Sequence, residues 1–583
     1  MSVPRSAQRR RLGALAGVTS VLLLSTVLAA GPAPAQVACD PANLPPVIAQ
    51  EDLLPGTIGD GVTALTGTTP EPFTYEVVGT IPDGWMLGLD AIVIHITGPQ
   101  EFLDETGGVF FGMSGSPAYV GGELAGAVSG AFYDDPTFGV LTPAEAMLEI
   151  MDAAQPPATP KQTIVPTDAI RRAMARIQGE PVSSVTGTFQ QLPTPLAVSG
   201  LSRRQAGELQ ARLDERGENF RVYRAASAST TAVGVVPTQF APGEPLGAAI
   251  AYGDASYYAT GTATFTCDDY VAAFGHPFFY DAPGDISLGL SGAEGLMVLK
   301  PLGWPGSRFA LLTEPRGTIV QDRFAGIVGA VGLEPPSVPV TSDLDNLDEG
   351  TSRLGETQAI HTWGWWLEEI VWAHLWANFA ATFGHYGGGT SELDWTLTGH
   401  TAAGPFSVSD TSMASSQWDV TESMWPLIRT IDALTFNEFE DVTFDGVSTT
   451  GWVTKDRLEG TIGQVLLSST SFPTPKETNV VRARPGDTVT IQVTFEMLEG
   501  DDEVVTATLT VPKRPDRNIE IKMRGGRDRT RYWDAESFDD LLELLMAKEH
   551  VNDLVISGIR PTQRLPQEFV VSGKDRFYVR TRW

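Results

Sequence analysis

A serine between two glycines stands at residues 112–117, which read GMSGSP. A serine nucleophile needs a tight turn that exposes its oxygen and aims backbone N–H groups at the oxyanion that forms during acyl transfer. Glycines on both sides permit such a backbone, because side chains there would block the approach. Ser114 is therefore a candidate nucleophile for acyl-transfer chemistry.

The surroundings of this serine carry more information than the motif itself, since a second copy, GLSG, occurs at residues 289–292. After Ser114 the chain continues with AYV, a Gly-Gly turn at 121–122 and ELAGAVSG at 123–130, a pattern that predicts strand, tight turn and strand. Ser291 is followed by neither a proline nor a hairpin. We interpret Ser114 as the nucleophile and Ser291 as a decoy; a plain Gly-rich turn at 112–117 is the alternative.

The segment after Ser114 is similar to the one that follows the nucleophile in chymotrypsin-like proteases. It also resembles a narrower family, the SpoIVB peptidases of sporulating bacteria and their relatives, through TGG at 106–108, GELAGAV at 122–128 and GVLTP at 139–143. The resemblance implies a serine peptidase in which the N–H groups of Gly112 and Ser114 form the oxyanion hole. It further implies a protein or peptide substrate, which in this family can be associated with a membrane, and no metal or organic cofactor.

One of the seven histidines, His276, fits the role of general base. It lies in YVAAFGHP at 270–277, where a predicted strand emerges into a turn. This element resembles the A-x-G-H segment that carries the catalytic histidine in SpoIVB peptidases, and GTATF at 261–265 and GTIVQDR at 317–323 extend the likeness. A strand-end histidine with a structural role is the alternative. His385, in FGHYG, opens a Gly-rich loop that has no counterpart in the family.

The third member of a triad is not identified by the sequence. Where SpoIVB peptidases have Asp-Pro ahead of the TGG segment, this chain has Gly98-Pro99. Strand parity favours Asp268 as the carboxylate beside His276 if the intervening strand is regular. The aspartates that could serve are Asp104, Asp268, Asp269 and Asp285. The alternatives are that Asp268 and Asp269 cap a hairpin turn, that a backbone carbonyl orients His276, or that the site is a Ser–His dyad.

The chain contains 60 glycines and 41 prolines, which favour many short strands and turns. We therefore expect these residues to be positioned by a mainly β protein. The serine half precedes the histidine half, whereas SpoIVB peptidases carry the histidine first. We expect both halves to pack into one chymotrypsin-like β-barrel module, with Ser114 and His276 within about 3 Å of each other. A small mixed α/β insert, an aromatic helix between residues 356 and 383 and a C-terminal β-sandwich-like domain complete the predicted architecture.

The predicted boundaries are 1–35 for a signal peptide, 36–154 for the serine half, 155–245 for a linker and the insert, 246–345 for the histidine half, 346–480 for an accessory region and 481–583 for the C-terminal domain.

The N-terminus and the charge indicate where the protein acts. Four arginines at positions 5–11 precede an apolar run at 12–30 and a small-x-small site at 33–35, the pattern of a signal peptide cleaved before Gln36. An uncleaved membrane anchor is the alternative. Export to the periplasm, envelope or medium would permit a disulfide between Cys39 and Cys267, or leave two free thiols. A formal net charge of −31 repels phosphate backbones and excludes nucleic acid as a partner.

Two functions are compatible with these observations. The first is an exported serine endopeptidase of narrow specificity, which by resemblance would carry out a regulatory or processing cleavage. The second is a non-catalytic envelope protein that uses the peptidase-like fold and the C-terminal β-domain to bind a partner.

Overall fold

Short β-branched runs interrupted by glycine and proline turns produce a structure built mainly of strands. The computed structural model describes residues 39–151, 161–225, 239–279, 284–300, 305–384, 387–528, 532–546 and 548–581, and the side chain of Asp285 is not described. The predicted signal peptide and His385 lie outside the described residues. No helix within these ranges is long and apolar enough to cross a membrane.

Six strands in the serine half close into a first barrel. They are β1 (Ile58–Thr63), β2 (Glu71–Met86), β3 (Leu89–Gly98), β4 (Pro117–Val120), β5 (Glu123–Phe132) and β6 (Phe138–Pro143). Their hydrogen-bonded order is β1-β2-β3-β6-β5-β4, and β4 pairs back with β1. Closure removes the unpaired edges that an open sheet would expose. Helix α1 (Gln100–Thr106) precedes β4, and α2 (Ala144–Glu149) follows β6.

The histidine half forms a second barrel with the same connectivity. Its strands are β11 (Pro245–Gly253), β12 (Tyr257–Cys267), β13 (Tyr270–Ala273), β14 (Gly284–Leu299), β15 (Ser307–Arg323) and β16 (Gly326–Val331). The order is β11-β12-β13-β16-β15-β14, and β14 pairs back with β11. The predicted fold class, a mainly β chain with a chymotrypsin-like barrel module in two segments, is confirmed.

The segment between the barrels, predicted as a small mixed α/β insert, contains two helices and four short strands. Helix α4 begins after Ser202, whose side chain forms a reciprocal capping box with Gln205. The strands extend the two barrel sheets. These elements are α3 (Asp168–Gln178), α4 (Arg203–Glu215), β7 (Thr163–Ile164), β8 (Phe189–Gln191), β9 (Thr194–Val198) and β10 (Phe220–Arg224).

Five further strands continue the sheet of the second barrel, and two helices contact them. The strands are β17 (Val338–Asn346), β18 (Thr351–Ala359), β19 (Gly389–Thr401), β20 (Gly404–Ser416) and β21 (Thr443–Thr454); the helices are α5 (Trp366–Phe383) and α6 (Trp425–Thr435). The aromatic helix was expected from residue 356, but residues 356–359 belong to β18 and the helix begins at Trp366. Residues 351–359 form an antiparallel ladder with β17, and this pairing decides their conformation.

The C-terminal strands form two five-stranded sheets that share one apolar core. Residues 488–510 form an antiparallel hairpin with Val489 opposite Leu509. The first strand of the two C-terminal sheets begins at Glu459, ahead of the expected domain boundary at residue 481. The elements are β22 (Glu459–Ser469), β23 (Phe472–Glu477), β24 (Val480–Arg482), β25 (Thr488–Met497), β26 (Glu503–Thr510), β27 (Asn518–Gly525), β28 (Asp553–Ser557), β29 (Gln563–Pro566), β30 (Val570–Ser572), β31 (Lys574–Arg580) and helix α7 (Phe538–Met546).

A disulfide between Cys39 and Cys267 attaches the first described residues to the second barrel. Cys267 ends β12, and the adjacent Asp268 accepts hydrogen bonds from Asp40 N at 2.8 Å and Asn43 Nδ2 at 2.6 Å. The bridge spans 228 residues of sequence and therefore encloses the whole first barrel.

We predict that removing this bridge with the double variant Cys39→Ser and Cys267→Ser lowers the free energy of unfolding by about 2–4 kcal/mol, because a long loop of the unfolded chain is released. Urea denaturation followed by fluorescence measures the change. The control is Asp268→Asn, which keeps the bridge and weakens only the hydrogen bonds from Asp40 and Asn43. It should shift the midpoint less. Equal midpoints for the parent and the double variant would contradict the prediction.

Candidate active site

The loop that carries Ser114, residues 107–116, joins α1 to β4 and depends on glycine at two positions. Gly112 and Gly115 have φ values of 95° and 94°, which side-chain-bearing residues rarely adopt. A Cβ atom at Gly115 would lie 2.0 Å from Thr262 O and 2.5 Å from Phe274 N. Glycine at residue 115 therefore allows the loop to touch the second barrel.

This nucleophile loop is held between the two barrels. Met113 is fully buried in the core of the first barrel. On the other side, strand β12 binds the loop at three carbonyl oxygens: Thr262 N donates to Ser114 O at 2.9 Å, Thr262 Oγ1 to Gly112 O at 2.9 Å and Thr264 Oγ1 to Gly115 O at 2.7 Å. The serine half and the histidine half thus meet at the nucleophile.

His276 lies just beyond β13, after a turn with unusual backbone angles. Phe274 and Gly275 have φ values of 70° and 69°, and for a phenylalanine this conformation is strained. Thr142 Oγ1 donates to Gly275 O at 2.6 Å, so the first barrel also holds this turn. Thr142 itself lies in β6, and Pro143 is the N-cap residue of α2.

Ser114 and His276 are brought to the same interface, because Gly115 contacts Phe274, two residues before the histidine. Both side chains are fully buried, with 0 % exposed surface. Ser114 Oγ makes no hydrogen bond with any described residue, so the direct bond expected between the pair is not formed in this structure. Catalytic hydrogen bonds are often long without substrate and tighten when it binds.

The imidazole of His276 is held in the protonation state that a general base needs. Its Nδ1 lies 2.8 Å from Pro277 O. A carbonyl can only accept, so Nδ1 carries the hydrogen and Nε2 keeps its lone pair. Burial lowers the pKa of His276 to about 4, and the Pro277 carbonyl opposes this only in part. The ring is therefore neutral at pH 7.

The two N–H groups expected to form the oxyanion hole are available. Neither Gly112 N nor Ser114 N donates a hydrogen bond to any described residue. Buried N–H groups without a partner are rare in folded proteins, so this pair indicates a place for an acceptor oxygen. The N–H groups next to them along the loop are all engaged: Phe111 N with Gly306 O, Met113 N with Phe110 O and Gly115 N with Val128 O.

None of the three candidate acids with a described side chain is seen to contact His276. Asp268 and Asp269 form the turn between β12 and β13, at the far end of a strand that spans roughly 13 Å. Strand parity does not apply to them, because they precede the strand. Asp104 is exposed on α1, where it accepts from Gln100 Nε2. The backbone of Asp285 pairs with Gln321 in the β14–β15 ladder.

A buried carboxylate that the sequence analysis did not single out supports the histidine segment. Asp322 on β15 is fully buried, and its two oxygens accept from Phe278 N and Phe279 N, each at 2.8 Å. It therefore fixes the chain immediately after His276. The residue lies in the GTIVQDR segment, but a strand pattern does not reveal that its carboxylate turns inward.

The decoy Ser291 lies in the middle of β14, where the chain pairs with β11 and β15 on its two sides. Such a paired strand offers no loop that could aim free N–H groups at an oxyanion. The geometry therefore separates the two G-x-S-G motifs in the way their sequence contexts indicate.

We predict that His276 makes the protein less stable in mild acid. Its pKa is about 4 in the folded protein and 6.5 in the unfolded chain, so the unfolded chain binds the proton first as the pH falls. This group contributes no pH dependence above about pH 7, and its share of the free energy of unfolding falls by roughly 3 kcal/mol between pH 6.5 and 4. Denaturation of the parent and of His276→Gln at both pH values measures the difference. His400→Gln, at an exposed histidine, is the control; equal pH dependence of the parent and His276→Gln would contradict the assignment.

The family comparison reaches one part of the chain. Residues 55–148 match the model described as SpoIVB peptidase S55. The match runs from just before β1 into α2 and includes Ser114, whereas the likeness of the His276 segment and the exchanged order of the halves stay predictions. No curated protein and no solved structure gives a significant match. The first barrel, with its candidate nucleophile, is thus similar in sequence to the SpoIVB-type serine peptidases.

Proposed function

We propose that this chain is an exported serine endopeptidase of narrow specificity in which Ser114 is the nucleophile and His276 the general base. The observation that carries the proposal is the pair of free N–H groups at Gly112 and Ser114 on a loop held against the turn that presents a neutral histidine. These are the parts that acyl transfer to serine requires.

In this mechanism Ser114 Oγ attacks the peptide carbonyl while His276 Nε2 takes its proton. The oxyanion accepts hydrogen bonds from Gly112 N and Ser114 N, and the proton then passes to the leaving amine. Water hydrolyses the acyl-enzyme with the same histidine as base.

The Pro277 carbonyl takes the orienting role that a carboxylate has in a triad. It fixes the tautomer, but a neutral oxygen stabilises the imidazolium less than a charged one would. Loss of the triad carboxylate in a well-studied enzyme costs about 10⁴ in rate. The likeness of residues 55–148 to SpoIVB peptidases favours a regulatory or processing cleavage over general digestion.

One observation favours the second candidate function, a non-catalytic protein that binds a partner in the envelope. Ser114 and His276 are fully buried and not hydrogen-bonded to each other, so a substrate reaches them only if the site opens. For a peptidase the same closure would restrict cleavage to substrates that induce opening. Reactivity of Ser114 distinguishes the two functions.

We predict that a fluorophosphonate probe labels the purified protein at Ser114. Ser114→Ala should abolish labelling, and His276→Gln should slow it by about 10²–10⁴-fold, the usual contribution of a general base. Ser291→Ala removes the decoy serine and should label like the parent. Mass spectrometry of the labelled peptide identifies the site. A parent that does not label would favour the partner-binding protein.

Export is the second part of the proposal, and the disulfide supports it, since such bonds persist in oxidising compartments. We predict that protein recovered outside the cytoplasm begins near Gln36, which N-terminal sequencing determines. Recovery of a chain that begins at Met1 from the membrane fraction would instead identify the apolar run as an anchor.

A further inference from the structure

Arg308 on β15 is a fully buried cation, and among the described residues no carboxylate forms an ion pair with it. Its guanidinium donates instead to three backbone carbonyls: Nη1 to Ala64 O at 3.0 Å, and Nη2 to Gly112 O and to Gly261 O, each at 2.6 Å. Burial lowers the pKa of Arg308 to about 10, so the group stays charged at neutral pH. Desolvating a charge is costly, and here backbone carbonyls rather than a carboxylate compensate it.

The backbone of Arg308 acts on the same loop. Arg308 N donates to Phe111 O at 2.9 Å. The carbonyl of Phe111 and the N–H of Gly112 belong to one planar trans peptide unit, so they point in opposite directions. Holding Phe111 O against β15 therefore directs Gly112 N–H away from β15. The side chain of Arg308 then holds the next carbonyl, Gly112 O.

Gly112 needs this support because its own conformation is weakly restricted. With a φ of 95° and no Cβ, its neighbouring peptide units can rotate at small cost, and such a rotation would turn the N–H out of the oxyanion hole. A Cβ atom at Gly112 would lie 3.2 Å from Arg308 Cβ, so the two residues are closely packed. Thr262 Oγ1 is the second side-chain donor to Gly112 O.

We propose that Arg308 is a positioning residue that keeps Gly112 N–H in the oxyanion hole by holding the carbonyls of Phe111 and Gly112. Its charge lies behind the loop and adds to the stabilisation of the oxyanion. The inference rests on the proposed peptidase function. It gives Arg308 an effect on the reaction rate, whereas a purely structural contact between the barrels would affect stability alone.

The test compares the kinetics of fluorophosphonate labelling in Arg308→Met and Arg308→Lys. Loss of one oxyanion donor typically costs 10²–10³-fold. Arg308→Met keeps the backbone bond to Phe111 O and removes only the side-chain bond to Gly112 O, so we expect the limiting labelling rate to fall by part of that factor, about 10–100-fold, while half-saturation by the probe stays unchanged. Arg308→Lys, which keeps the charge and part of the donor set, should recover part of the rate. A purely structural role would lower the melting temperature, but the folded fraction would still react at the parent rate.

Two milder variants, Arg308→Lys and Thr262→Val, test the inference even if Arg308→Met does not fold. Thr262→Val removes one donor to Gly112 O and an acceptor of Arg308 Nη2 at 3.2 Å, and it should slow labelling by about tenfold, the equivalent of one hydrogen bond. The control is Thr430→Val, which removes a similar buried bond, to Pro426 O at 2.9 Å, on α6. Parent-like rates in folded Arg308→Lys and Thr262→Val would overturn the inference. A parent that does not label at Ser114 would instead refute the proposed function.

Discussion

The contact between the nucleophile loop and strand β12 is the constraint on which the candidate site depends. Neither barrel contains a complete site, because the serine comes from the first and the histidine from the second. Thr262 binds the loop through both its N–H and its hydroxyl, and Gly115 has no side chain that would keep the strand away. The geometry of Ser114 is therefore a property of the interface and would be lost if the barrels separated.

Burial sets the chemistry of this interface. Removal from water disfavours the charged form of an imidazole, which keeps His276 neutral and ready to accept a proton. The same effect makes the imidazolium costly to form, and Pro277 offers only a neutral carbonyl to stabilise it. In this low-dielectric setting fixed dipoles act more strongly than they would in water, so in the proposed mechanism the backbone N–H groups and the buried guanidinium would supply much of the stabilisation of the oxyanion.

Local sequence predicted the parts of the site that are local. The glycines around Ser114, the hairpin after it and the strand that leads to His276 are short-range patterns, and the family match supports the first of them. Asp268 illustrates the limit of such patterns, because parity along a strand cannot show that the residue lies in the turn before it. Arg308, Thr262 and Asp322 could not be found in this way, since their partners lie far away in the sequence and are chosen by barrel packing.

The position of the disulfide has a consequence for how the protein matures. A ribosome makes the serine half first, so Ser114 exists for some time without His276. Cys39 can form its disulfide only after Cys267, 228 residues later, has been synthesised. Cys267 ends a strand of the second barrel. The covalent bond can therefore close only after the whole first barrel and the first two strands of the second barrel have been synthesised. Because β13 to β16 and His276 follow Cys267, the bridge can form before the second barrel is complete, and it then keeps the start of the described chain beside the strand that binds the Ser114 loop.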